Sequence, residues 1–74
     1  MSESGTMMRE LGQQIRAARA ARGWSQSVLA DEAGVSRPSI ARIEAGEDVN
    51  TSTLVKVSET LGFELAVVSY IRKK

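Results

Sequence analysis

The sequence predicts a mainly α domain of four helices followed by one C-terminal β-strand, and three observations carry that prediction. Apolar residues recur at spacings of three and four in successive segments, each of which stops at a glycine: Gly23, Gly34, Gly46 and Gly62. Ser25, Ser36 and Asn50 stand just before three of these segments, where a short side-chain oxygen caps a helix. After Gly62 the period changes to two.

In the first helix, Met8, Leu11, Ile15 and Ala18 form one apolar stripe, with Arg9 and Arg16 on the opposite face and Arg19 at its border. Thr6 is the expected cap, so the helix should begin near Met7 and leave residues 1–6 as a disordered tail. Trp24 is expected to seal the first helix against the second. The second helix runs from Gln26 to about Ala33, with Val28, Leu29 and Ala33 inward. Gly34 permits a left-handed turn, and Val35 plugs the core. Ser36 caps the third helix, where Pro38 is tolerated because first-turn amides have no helical partner. Ile40 and Ile43 point inward. Asn50 caps the fourth helix, which places Leu54, Val57 and Leu61 inward.

From Phe63 to about Tyr70, alternation and β-branched residues predict a strand. A lone strand leaves its backbone groups unpaired, and those groups invite a second copy of the chain. Two copies pairing antiparallel across a twofold axis would bury Phe63, Leu65, Val67 and Ser69 at a homodimer interface. The expected organisation is thus a helical domain over 7–62 and a dimerisation strand with a basic tail over 63–74.

Seventy-four residues allow one domain with a modest core. With neither Cys nor His, disulfides and the common zinc sites are excluded, and no cofactor is expected. An apolar fraction of 42% suits a folded globule. No run approaches the ~20 apolar residues of a membrane span, and no apolar segment follows the polar opening MSESGT. A cytoplasmic protein is expected. Net charge is only +1, but its distribution is uneven. Six arginines fall between Arg9 and Arg42 against Glu10, Asp31 and Glu32, as the electrostatic footprint of a nucleic-acid partner requires.

Two short helices joined at Gly34 have the geometry that puts one helix into the DNA major groove. Arg37, Ser39 and Arg42 are expected on the outer side of the second of these, and Gln26 at the start of the first, where side chains meet phosphate. Serines are plentiful, but no His can activate one, and no carboxylate pair or phosphate-cradling loop appears, so an enzyme is not expected.

The segment GWSQSVLADEAGVSRPSIARIEAG resembles the Cro/repressor-type helix-turn-helix, the XRE family. The residues that carry the resemblance are Gln26, Leu29-Ala30, Gly34-Val35-Ser36, Ile40 and Glu44, and the likeness continues through TLVKVSETLG. It implies a lambda-repressor-like fold that binds double-stranded DNA. It also implies roles by position: Gln26, with Ser25 and Ser36, beside the DNA backbone, and Arg37, Pro38, Ser39 and Arg42 facing bases. Arg19 and Glu44 resemble an internal ion pair between the first and third helices. Pro38 departs from the commoner polar residue and would make an apolar contact, such as one to a thymine methyl.

The segment GFELAVVSY departs from the simple repressor pattern and resembles the bacterial HipB antitoxins, in which C-terminal strands pair across a dimer. That likeness implies a homodimeric repressor on a palindromic operator, which autoregulates its operon and holds a HipA-like kinase toxin. The alternatives are a stand-alone repressor and a protein-interaction module built on the same fold.

Overall fold

The computed structural model describes residues 3–63, with side chains from residue 6 onward. Four helices follow in order: α1 (Glu3–Ala21), α2 (Gln26–Ala33), α3 (Arg37–Glu44) and α4 (Thr51–Thr60). The segment from Glu64 on, which holds Leu65, Val67, Ser69 and nearly all of the expected strand, lies outside the described residues. No described helix is long and apolar enough to cross a membrane.

Three helices start at the expected caps. Ser25 Oγ accepts from the Val28 amide at 3.1 Å, Ser36 Oγ from Ser39 at 3.2 Å, and Asn50 Oδ1 from Thr53 at 2.8 Å. Each bond satisfies an amide that the helix leaves without a partner. α1 differs from expectation. It begins at Glu3 rather than Met7, so Thr6 lies inside the helix and does not cap it. No proline blocks the extension, and Gly5 costs a helix only about 1 kcal/mol.

All four helices end alike. The residue after each glycine donates its amide five residues back: Trp24 to Arg19, Val35 to Ala30, Glu47 to Arg42 and Phe63 to Ser58, at 2.8–3.1 Å. This closure needs a left-handed residue just past the helix, and Gly34 adopts φ 71° there without the clash that a Cβ brings. Trp24, Val35 and Phe63 then pack against the core, so three of the chain reversals also contribute apolar surface.

The core gathers Leu11 and Ile15 of α1, Leu29 and Ala30 of α2, Ile40 and Ile43 of α3, and Leu54, Val57 and Leu61 beside them. α3 packs on α1 and α2, and α2 on α4. One inward assignment is corrected: Val28 is exposed and Ala30 is buried in its place. Leu29, Ala30 and Ala33 share one side of the short helix, while Val28 sits one residue too early to reach it. Gly12 holds the closest approach between helices. A Cβ there would collide with the Ile43 carbonyl oxygen and stand 3.2 Å from the Glu44 Cα. The missing side chain lets α3 lie directly on α1.

Candidate nucleic-acid interface

α3 buries Ile40 and Ile43 completely and turns Arg37, Pro38 and Arg42 outward, with the cap residue Ala45 exposed just past its end. Ala41 is half-buried between them. Arg37, Ala41 and Ala45 follow one another at steps of four, so they line one ridge, with Pro38 and Arg42 beside it. Neither the Arg37 nor the Arg42 side chain makes a hydrogen bond or ion pair among the described residues. Both guanidiniums are therefore available to a partner.

Ser39 sits at the flank of that face. It is half-buried, and its hydroxyl lies 2.9 Å from that of Ser36. The reason is angular, because Ser39 follows Pro38 by ~100° and so turns away from the Arg37–Ala41 ridge. The small Ala41 and Ala45 on that ridge were missed in the sequence; the spacing from Arg37 was the available signal.

Behind α3 a polar network fixes its orientation. Arg19 Nε donates to Glu44 Oε2 at 2.7 Å and Nη2 donates to Oε1 at 3.0 Å, a two-pronged pair between α1 and α3. The remaining Arg19 nitrogen, Nη1, donates to the Trp24 carbonyl at 2.8 Å. The Arg19 side chain is 15% exposed and that of Glu44 only 5%. Gln26 Nε2, at the start of α2, donates to Glu44 Oε1 at 3.1 Å. One carboxylate thus gathers α1, α2 and α3.

Burial is the largest single influence on Glu44 and opposes its charge. The hydrogen bonds from Arg19 and Gln26, with the positive charges of Arg19 and Arg16, together outweigh it, and its carboxyl titrates below the usual glutamate range. The hydrogen bond to Glu44 holds the Arg19 guanidinium above its usual range, against the opposing effect of burial. Arg16, Arg19 and Glu44, with Gln26, Ala41 and Ala45, line a shallow cleft of about 300 Å³ along the α3 ridge.

A second cation joins elements that the sequence did not connect. Arg22 donates to the Thr60 and Leu61 carbonyls at 3.1 and 3.3 Å and lies 5.0 Å over the Trp24 ring. A cation suits the end of a helix, where carbonyls lack partners and the dipole is negative. The contact ties the close of α1 to the close of α4.

The expected DNA-facing residues therefore fall into two groups. Arg37, Pro38 and Arg42 form an open face, whereas Ser25, Gln26, Ser36 and Ser39 are engaged in caps or in the network behind it. Phe63 packs against the core of its own chain. Among the described residues no group of His, Cys, Asp and Glu side chains gathers as a metal site.

A short helix braced from behind, presenting two arginines without a partner among the described residues, suits a helix-turn-helix DNA-binding domain. A family model described as "Helix-turn-helix" matches residues 15–68, well over half of the chain. The chain belongs to this family of Cro/XRE-type domains and is a DNA-binding transcription regulator.

Proposed function

We propose that this protein is a sequence-specific repressor that binds a near-palindromic operator as a homodimer. The observation that carries the reading is the exposed face of α3, with Arg37, Pro38 and Arg42 outward and no described partner for either arginine. Arg donates two parallel hydrogen bonds to guanine O6 and N7, and the proline ring suits a thymine methyl. Gln26 and Ser25 at the start of α2 supply backbone contacts that position without reading sequence. A twofold through paired C-terminal strands would set two α3 helices about one DNA turn apart, ~34–36 Å.

The narrower reading is an antitoxin that represses its own operon and holds a HipA-like kinase. The alternating run from Phe63 to Val68 favours it. Use of the fold as a protein-docking module is opposed by Arg37 and Arg42, which match guanine edges.

Binding-site selection from random duplexes tests the proposal. The wild type should enrich a near-palindrome. Arg37→Ala or Arg42→Ala should cost about 1–3 kcal/mol and relax one base position in each half-site. Equal recovery of all sequences would overturn the repressor reading. Sedimentation tests the assembly: a dimer for the full chain, and a monomer for the double variant Leu65→Lys and Val67→Lys. Co-purification of a kinase from the source cell tests the antitoxin role.

A further inference from the structure

Arg16 is exposed on α1, and its side chain makes no hydrogen bond or ion pair with any described residue. It nevertheless lines the cleft beside α3, in company with Gln26, Ala41 and Ala45. The other polar groups there are largely committed. Arg19 spends its three nitrogens on Glu44 and the Trp24 carbonyl. Glu44 is held by Arg19 and Gln26. Gln26 spends one amide N–H on Glu44 and keeps a second, since a primary amide carries two. Two guanidiniums face one carboxylate, so the cleft is net cationic. It offers an oxyanion one free guanidinium and one amide N–H already aimed by Glu44.

The position of the cleft chooses among anions. Its α3 wall is Ala41 and Ala45, which lie on the same ridge as Arg37. A duplex seated on that ridge would carry its backbone across the cleft, and the two methyl groups are small enough to let it approach. We propose that Arg16 makes α1 a third DNA-contacting element, closing with Gln26 on one backbone phosphate of each half-site. The inference rests on the DNA-reading face described above and adds to it a contact outside the two helices of the motif.

The test measures affinity against salt for the wild type, Arg16→Ala and Arg16→Lys, on a selected duplex and a random one. Arg16→Ala should weaken both duplexes by the same factor and lower the log–log salt slope by about 0.9 for each phosphate no longer neutralised. Arg16→Lys should keep the slope, because it keeps the charge. A scan of single methylphosphonate substitutions in the duplex locates the phosphate. One position should weaken the wild type strongly and Arg16→Ala less, since only the Gln26 amide still meets that phosphate. Arg16 is exposed, and the thermal melts of the three proteins should coincide. A wild-type slope and an unchanged scan in Arg16→Ala would overturn the inference and leave the repressor reading standing. Wild type that binds no duplex would overturn both.

Discussion

Gln26 Nε2 donates to Glu44 Oε1 at 3.1 Å, which joins the first residue of α2 to the last residue of α3. The same oxygen accepts from Arg19 Nη2 at 3.0 Å. A side chain expected to meet a phosphate is thus anchored within the protein first. Holding the amide in one orientation before DNA arrives removes an ordering cost from binding.

Gln26→Ala should weaken selected and random duplexes by similar factors, because a phosphate contact positions without reading bases. Its effect on stability should be small, about 0.5–1.5 kcal/mol for one hydrogen bond, or less since the group is half-exposed. Fluorescence anisotropy on both duplexes checks it; weaker binding of the selected duplex alone would contradict a backbone role.

Removing either member of the Arg19–Glu44 pair should destabilise the fold, and the two variants should differ. Glu44→Ala leaves a guanidinium that is 15% exposed and still donates to the Trp24 carbonyl. Arg19→Ala leaves a carboxylate only 5% exposed, with Gln26 as its remaining donor. Breaking a buried pair costs about 3–5 kcal/mol. Arg19→Ala should fall in that range and Glu44→Ala below it, as read from urea midpoints. The reverse order would show that the carboxylate finds solvent more readily than its burial indicates.

The lowered titration of Glu44 makes stability depend on pH with a definite sign. The folded carboxyl binds its proton less tightly than the unfolded one. Its contribution is complete above the ordinary glutamate value, about 4.3, and disappears as pH falls below it through the folded value. The wild type should therefore lose stability on acidification below about pH 4 more steeply than Glu44→Gln. Parallel urea midpoints for the two proteins across that range would refute the link.

The caps, the glycine stops and most inward positions were legible because each follows from local chemistry. A Ser before a helix or a glycine after one acts within a few residues of itself. Arg19 and Glu44 were legible as a pair only through the family resemblance, since 25 residues separate them. Three features were not legible. The exposure of Val28 and burial of Ala30 turn on a rotation of ~100°, which a helix as short as α2 does not fix by its own apolar pattern. The Arg22 bridge to the end of α4 joins residues 38 and 39 apart, and an arginine after a helix has many possible partners. The role of Gly12 lies entirely in what packs against it.

Ser58 should tolerate removal of its hydroxyl. The residue is fully buried in α4, and its Oγ has no partner among the described residues. A buried polar group without a hydrogen bond costs about 1–3 kcal/mol, and Ala is the better helix former. Ser58→Ala should raise the thermal midpoint. A lower midpoint would show that the hydroxyl does find a partner in the folded protein.

Gly12→Ala sets two effects against each other. In an exposed helix the change gains about 1 kcal/mol, because Ala loses less conformational freedom than Gly. At this position the new Cβ would collide with the Ile43 carbonyl oxygen and stand 3.2 Å from the Glu44 Cα. Both obstacles are backbone, so neither can swing aside as a flexible side chain does. The helices must separate, and overpacking of this kind costs about 1–3 kcal/mol or more. Separation also pulls Glu44 away from Arg19, because the close approach lies at the Ile43–Glu44 peptide. Collision should win: Gly12→Ala is expected to lower the urea midpoint despite the better helix residue. It should also weaken DNA binding more than its drop in stability alone accounts for, since α3 carries Arg37 and Arg42 and moves as a unit. A midpoint at or above that of the wild type would show that α1 and α3 are not held in this register.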